Sequence, residues 1–174
     1  FFAIGSSGLS FSDNAVSISV TSGLRSGSKA QFETVPETEF FTVDNAATTR
    51  DPKTGSKSKG KDSSAVSVYL PTNTIKVTRD PGENTISIIG TIDRGATGVH
   101  EQLSLENSPL YTGTLFREML EYRGFAITGG TMTAAELDEK IDYNDVETLA
   151  TYKSPPMSEI IKVVNKKSQN FYSE

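Results

Sequence analysis

The sequence lacks cysteine and tryptophan, and it has a single histidine among its 174 residues. Without cysteine there can be no disulfide bond, no thiolate zinc site and no cysteine nucleophile. One histidine is too few for a histidine-rich metal centre, so we expect neither a metal nor a cofactor. No apolar run approaches the roughly 20 residues that are needed to cross a bilayer. The sequence therefore predicts no transmembrane segment in this chain.

Positive charge is also scarce. Lys and Arg total 17 against 22 Asp and Glu, which gives a net charge of −5. Nucleic-acid binding depends on clustered cations, so nucleic acid is not an expected partner. Four lysines lie close together in a polar stretch over residues 50–64. Because like charges repel one another there, we predict a solvated loop and assign it no role.

The chain opens with Phe1-Phe2-Ala3-Ile4, which contains neither an initiator methionine nor the basic region of a signal peptide. It stops at Glu174, within what is predicted to be helix. We therefore expect a piece of a longer protein, in which a site can draw on segments beyond these residues.

The first two thirds of the chain have the two-residue period of β-strands. Apolar Val16, Ile18 and Val20 alternate with Ser and Thr, after a turn at Asp13-Asn14. Further strands are predicted at 30–35, 39–43, 65–70, 74–78, 85–92 and 99–105. Short turns between sequential strands indicate an antiparallel sheet.

After Asn107 the period becomes helical. Ser108 is the expected N-cap, Pro109 the first helical residue and Gly124 the residue that ends the helix. An apolar stripe predicted to face the core comprises Tyr111, Leu115, Phe116, Met119, Leu120 and Tyr122. A short helix at 134–140, capped by Thr133, is also expected.

A second helix follows Ser154-Pro155-Pro156. Its apolar residues are Met157, Ile160, Ile161 and Val164. Lys166 and Lys167 occupy its last turn, where positive charge is favourable. The helix leads directly into Ser168-Gln169-Asn170.

Several matches to known catalytic motifs are poor evidence of a catalytic site in this sequence. A Ser-His-Asp triad would need His100, which is better interpreted as an ordinary half-exposed strand residue. Penicillin-recognising enzymes use S-x-x-K, S-x-N and K-T-G in that order. Ser26–Lys29 and Ser56–Lys59 match S-x-x-K, and Lys53–Gly55 matches K-T-G, but all three lie in polar turns. We interpret them as chance matches.

Ser168-Gln169-Asn170 differs, because an apolar-faced helix precedes it and Phe171-Tyr172 follows it. Residues 154–174 read SPPMSEIIKVVNKKSQNFYSE. They resemble the S-x-N region of the D-alanyl-D-alanine carboxypeptidase/endopeptidase family that includes penicillin-binding protein 4 (peptidase family S13). Residues 9–20, LSFSDNAVSISV, resemble the segment that opens the inserted domain of that family. Residues 108–124 resemble one of its helices. Gln169 and Ser173 depart from the usual Asp and Ala.

The resemblance implies an α+β fold. An antiparallel β-rich accessory domain at 1–141, which includes the helix near 108–123, would be followed by helices of a serine β-lactamase/transpeptidase-like catalytic domain at 142–174. Ser168 would be the proton-shuttling hydroxyl, and Asn170 would bind the substrate amide and the catalytic lysine. The S-x-x-K nucleophile and the C-terminal K-T-G have no counterpart in this chain, so the chain alone is expected to be inactive.

The function implied by the resemblance is a serine D,D-carboxypeptidase/endopeptidase that hydrolyses D-Ala-D-Ala-type peptides through an acyl-enzyme. Its partners would be peptidoglycan stem peptides, and β-lactam antibiotics would acylate the intact enzyme. The location would be periplasmic or extracytoplasmic. Two alternatives remain open, a non-catalytic β-rich cell-wall-binding or adhesion module and a structural surface-layer or pilus-type domain.

Overall fold

The structure, a computed structural model, describes residues 8–52, 72–138 and 140–167. Contacts divide the chain into two units, one formed mainly by Ala15–Glu106 and one by Ile4–Asn14 with Asn107–Glu174. The strands of the first unit are β1 (Ala15–Thr21), β2 (Gln31–Val35), β3 (Thr42–Asn45), β4 (Thr48–Arg50), β5 (Lys76–Arg79), β6 (Thr85–Ile89), β7 (Thr91–Asp93) and β8 (Val99–Ser104). The helices of the second unit are α1 (Ser108–Tyr122) and α2 (Met157–Lys167).

The first sheet has the strand order β2-β1-β8, and both pairings are antiparallel. In the central strand, Val16, Ile18 and Val20 are buried, whereas Ser17 and Thr21 on the other face are exposed. This is the alternation expected of a sheet with one face on the core. The predictions of β1, β2 and β8 are confirmed.

A second sheet has the order β3-β6-β5, and β4 pairs with β7. The buried Ile86, Ile88 and Ile92 supply apolar side chains from β6 and β7. The expectation of antiparallel neighbours fails here, because β3 lies parallel to β6 and β4 parallel to β7. Neither parallel pair is formed by consecutive strands, so the short turns in the sequence gave no sign of their direction.

One predicted strand, at 85–92, is in fact two. Gly90 separates β6 from β7 and has a φ of +107°, which L-amino acids with a side chain rarely adopt. β4 was not predicted. β3 and β5 each begin two or three residues later than expected, and the strand predicted at 65–70 lies outside the described residues.

Helix α1 follows the predicted bounds, but its N-cap differs. Asn107, not Ser108, is the cap, because its side-chain oxygen accepts a hydrogen bond from the Leu110 amide at 3.3 Å. Ser108 is instead the first residue of the helix and is buried. Burial and the charge of Glu118 raise the pKa of Tyr111 to about 12.

The predicted core stripe of α1 is only partly buried. Tyr111 and Leu115 are buried as expected, whereas Phe116, Met119 and Tyr122 are exposed within the described residues. The stripe therefore has two halves, of which only the N-terminal half is covered.

The remaining predicted elements form in part. The short helix spans only Ala134–Glu136, and Glu136 accepts hydrogen bonds from the Thr133 amide at 2.6 Å and the Thr133 hydroxyl at 2.9 Å. These bonds lower the pKa of Glu136. The predicted α+β class is confirmed, since sheets and helices occupy separate parts of the chain.

Candidate functional site

The two predicted catalytic residues, Ser168 and Asn170, lie outside the described residues. What the structure describes is the helix that leads to them. α2 begins directly after Pro155-Pro156 and ends at Lys167, the residue before Ser168.

The start of α2 is defined by Pro156. Its carbonyl accepts hydrogen bonds from the Glu159 amide at 2.9 Å and from the Ile160 amide at 3.3 Å. Proline is tolerated at the start of a helix, because amide groups there have no carbonyl partner within the helix. Glu159 places negative charge in the first turn, at the positive end of the helix dipole.

The apolar side of α2 is thinly covered. Ile160 and Val164 are half-buried, whereas Met157 and Ile161 are exposed. From residue 140 to residue 166, no described residue is buried. Hydrophobic side chains in this stretch are exposed at Ile141, Tyr143, Val146, Leu149, Tyr152, Met157, Ile161 and Val163.

The S-x-x-K match at Ser26–Lys29 lies in a turn, as predicted, and not in a helix. The Ser26 hydroxyl accepts a hydrogen bond from the Asp51 amide at 3.1 Å, and Lys29 Nζ donates to the Asn45 carbonyl at 2.6 Å. Both groups therefore form hydrogen bonds with the backbone of neighbouring segments. The interpretation as a chance match is supported. The matches at Ser56–Lys59 and Lys53–Gly55 lie outside the described residues.

His100 lies in β8 and has a partner that the sequence did not suggest. Its Nδ1 is 2.9 Å from the hydroxyl oxygen of Ser19, which is its cross-strand neighbour in β1. The pair lies on the solvent-facing side of the sheet, and no carboxylate in the described residues bonds to the imidazole. Without a third group to orient the base, the pair lacks the arrangement that activates a nucleophilic serine.

Asp93 is a buried carboxylate whose role sequence reasoning missed. Its Oδ1 accepts a hydrogen bond from Arg50 Nε at 2.6 Å, and its Oδ2 accepts one from the Thr72 amide at 2.7 Å. The bond from Arg50, followed by the bond from Thr72, lowers the pKa of Asp93 against the opposing effect of burial. A carboxylate held in its ionised form by these donors stabilises the neighbouring backbone and is poorly suited to act as a base.

Arg79 and Glu106 form a second polar cluster. Arg79 Nε donates to the Ser104 carbonyl at 2.7 Å, and its Nη1 donates to Glu106 Oε1 at 3.1 Å and to the Glu83 carbonyl at 2.6 Å. The recess beside Arg79 has a volume of about 120 Å³. Ligand pockets usually enclose roughly 300–1,000 Å³. Arg79 therefore ties β5 to the end of β8, and the recess is too small for a cofactor.

Among the described residues, no group of three or more His, Asp and Glu is arranged to hold a metal ion. Within the same part of the chain, no helix combines the length and the apolar character that a membrane span requires.

Comparison with known proteins gives consistent results. The sequence model of the D-Ala-D-Ala carboxypeptidase 3 (S13) family matches residues 2–174. A D-alanyl-D-alanine carboxypeptidase from Actinomadura sp. (strain R39) is 30% identical over 102 residues, which are 59% of this chain and 18% of that protein.

Two solved structures of penicillin binding protein 4 (dacB) from Haemophilus influenzae show the same fold. The structure complexed with a novel beta-lactam has a TM-score of 0.58 at 15% identity and is matched over 94% of this chain and 33% of its own. The other has a TM-score of 0.60 at 12% identity, over 94% of this chain and 31% of its own. The chain therefore spans about a third of these structures and less than a fifth of the curated relative.

Proposed function

The chain belongs to the D-Ala-D-Ala carboxypeptidase 3 (S13) family, and we propose that the whole protein is a penicillin-binding serine D,D-carboxypeptidase/endopeptidase. Its substrates would be peptidoglycan stem peptides that end in D-Ala-D-Ala, and it would act outside the cytoplasm, in the periplasm where the cell has one. The observation that carries the proposal is the family match over residues 2–174. That match disfavours the alternative of a non-catalytic cell-wall-binding or adhesion module.

The proposed reaction is serine acyl transfer. A serine oxygen bonds to the carbonyl carbon of the penultimate D-Ala, the peptide C–N bond breaks, and the terminal D-Ala leaves with the proton on its amine. Water then hydrolyses the ester and regenerates the serine. The nucleophile and its lysine belong to an S-x-x-K segment outside this chain.

Ser168 and Asn170 are the groups that this chain would supply. The hydroxyl of Ser168 would pass the proton between the lysine and the leaving amine. The carboxamide of Asn170 can both donate and accept hydrogen bonds, so it would bind the lysine and the substrate amide. Support for these roles comes from the S-Q-N sequence at 168–170, directly after α2.

The proposal includes an accessory domain inserted into the catalytic domain. An inserted domain needs its entry and its exit side by side, and Ala15 at the start of β1 pairs with Ser104 at the end of β8. Among the described non-glycine residues, positive φ occurs only at Ser12–Asn14 and Asn107, which flank residues 15–106. Both features support insertion, and the predicted boundary at residue 142 stays a prediction.

The residues after the accessory domain would belong to a larger catalytic domain. Support comes from residues 140–166, in which the apolar side chains have no core of their own. A segment of that composition needs further protein to cover it, since burial of apolar surface is the main stabilising term in folding.

The experiment is acylation of the full-length protein. Incubation with a fluorescent penicillin should label one serine per molecule, and intact mass should increase by the mass of one penicillin. Release of D-Ala from a stem peptide should then be blocked by that label. Absence of both the label and the D-Ala release from folded protein would contradict the proposal.

A further inference from the structure

The turn between β5 and β6 lies against the last residues of the first unit, which ends at Glu106. The Gly82 amide donates a hydrogen bond to Glu106 Oε1 at 3.3 Å, although the two residues are 24 positions apart in sequence. The backbone of Glu106 bonds twice to the Asn84 side chain, since its amide donates to Asn84 Oδ1 at 2.9 Å and its carbonyl accepts from Asn84 Nδ2 at 3.3 Å. We call residues 79–84 and 104–106 together the boundary latch.

Arg79 lies at the centre of the boundary latch and bonds to both of its segments. On the side of the turn, Arg79 Nη1 donates to the carbonyls of Asp80 at 3.0 Å and Glu83 at 2.6 Å. On the other side, Arg79 Nε donates to the Ser104 carbonyl at 2.7 Å and Nη1 donates to Glu106 Oε1 at 3.1 Å. The Arg79 side chain is only 11% exposed, so water competes little for these groups. Because a guanidinium holds its donors in one rigid plane, loss of one acceptor disturbs the geometry at the others.

Glu106 depends on this latch for its position. β8 ends at Ser104, which pairs with Ala15 of β1, so the ladder between β1 and β8 does not extend to Glu106. The carboxylate of Glu106 is held instead by Arg79 and by the Gly82 amide. Hydrogen bonds to charged groups are roughly twice as strong as neutral ones, and bonds within one network strengthen each other. We therefore expect the bonds of the latch to form and break together.

We propose that Arg79 and the boundary latch couple the β5–β6 turn to the point where the chain leaves the first unit. The first unit ends at Glu106, and the second continues from Asn107. Opening of the turn releases Glu106, and this release leaves the ladder between β1 and β8 intact. The latch is a conformational device of the fold, and the inference does not depend on the proposed reaction.

The test is amide hydrogen–deuterium exchange in the full-length protein with Arg79→Met, which removes the charge and every donor but keeps an unbranched side chain. Its matched control is Arg94→Met, because Arg94 also forms an ion pair, with Asp51 at 2.8 Å, but both of these side chains are more than half exposed. The amides to follow are those of Gly82 and Glu106, with the amides of β1 as the reference. Neither the Gly82 bond nor the Glu106 bond involves Arg79. Their exchange therefore reports the state of the whole latch.

In Arg79→Met, the amides of Gly82 and Glu106 should exchange about 10- to 100-fold faster and by the same factor, because hydrogen bonds to a charged group are lost and the two segments open together. The β1 amides, and all of these amides in Arg94→Met, should keep their original rates. Unchanged exchange at either latch amide, or acceleration by different factors, would overturn the proposal. Equal acceleration in β1 would also overturn it, since the substitution would then have destabilised the whole unit. If Arg79→Met does not fold, Glu106→Gln takes the same test, with Asp51→Asn as its control.

Discussion

Replacement of Gly90 by alanine should damage the sheet unit more than the same change at any turn glycine with open space around it. Gly90 has a φ of +107° and joins β6 to β7, which belong to different sheets. A Cβ at this position would overlap the carbonyl oxygen of Thr74, and it would lie 2.7 Å from the Thr74 carbonyl carbon. Both are backbone atoms, so no side-chain rotation relieves the overlap.

The magnitude follows from a comparison with Gly82. That residue has a φ of +82°, and an added Cβ would meet nothing within 4 Å. Gly82→Ala should therefore cost only the positive-φ strain, about 1–2 kcal/mol. Gly90→Ala carries a similar strain and also an overpacking cost of about 1–3 kcal/mol. The free energy of opening of β6 and β7 should thus fall by about 2–5 kcal/mol in total.

The assay is hydrogen–deuterium exchange on the full-length protein and both variants. The amides to follow are those of Ala46 and Thr48, which donate to the carbonyls of Ile88 and Gly90 at 2.8 Å and 3.0 Å. Their exchange should accelerate strongly in Gly90→Ala and slightly in Gly82→Ala. Equal acceleration in the two variants would refute the argument from steric overlap.

Two further outcomes are expected. Lys53→Ala should leave the turnover of the full-length protein nearly unchanged, because we attribute the K-T-G match at Lys53 to chance. A loss of about 100-fold, which is the size of a catalytic proton-transfer contribution, would show that this interpretation is wrong. Tyr111→Phe should reduce alkaline destabilisation. The folded protein keeps the Tyr111 proton up to about pH 12, whereas the unfolded chain loses it near pH 10, so stability falls as the pH rises between these values. Melting temperatures from pH 8 to 11 that fall equally in the variant would contradict this assignment.

The sequence was sufficient to predict the strands and helices whose apolar spacing is regular. The alternation of Val16, Ile18 and Val20 with Ser and Thr predicted the central strand and its buried face. The helical spacing after Asn107 predicted α1 to within a residue. The cap was misassigned because Asn107 and Ser108 are adjacent and both favourable caps, so composition could not distinguish them.

Features that depend on distant residues could not be predicted. The contact between Ser19 and His100 joins residues 81 positions apart, and only the register of β1 with β8 brings them together. Asp93 directly follows the predicted strand at 85–92, and the sequence gave no sign that it is a buried carboxylate paired with Arg50 from β4. The break at Gly90 was missed, because apolar residues continue on both sides of it.

The candidate site depended on recognition of a pattern. Helical spacing predicted α2, but nothing in composition or periodicity distinguishes Ser168 from other serines. The resemblance to the S13 family supplied its role, which stays a prediction. Part of the apolar stripe of α1 is exposed. The apolar spacing therefore predicted which side of the helix is hydrophobic, but it could not predict which residues pack against that side.

The central claim is that this chain carries the S-x-N segment of a penicillin-acylated enzyme. It is tested most directly by the rate of acylation of full-length Ser168→Ala by penicillin, measured beside its melting temperature. Loss of a proton-transfer group should slow acylation by roughly 10²- to 10⁴-fold, with little change in melting temperature. An unchanged acylation rate together with a lowered melting temperature would contradict the account and would leave Ser168 as a residue that only terminates a helix.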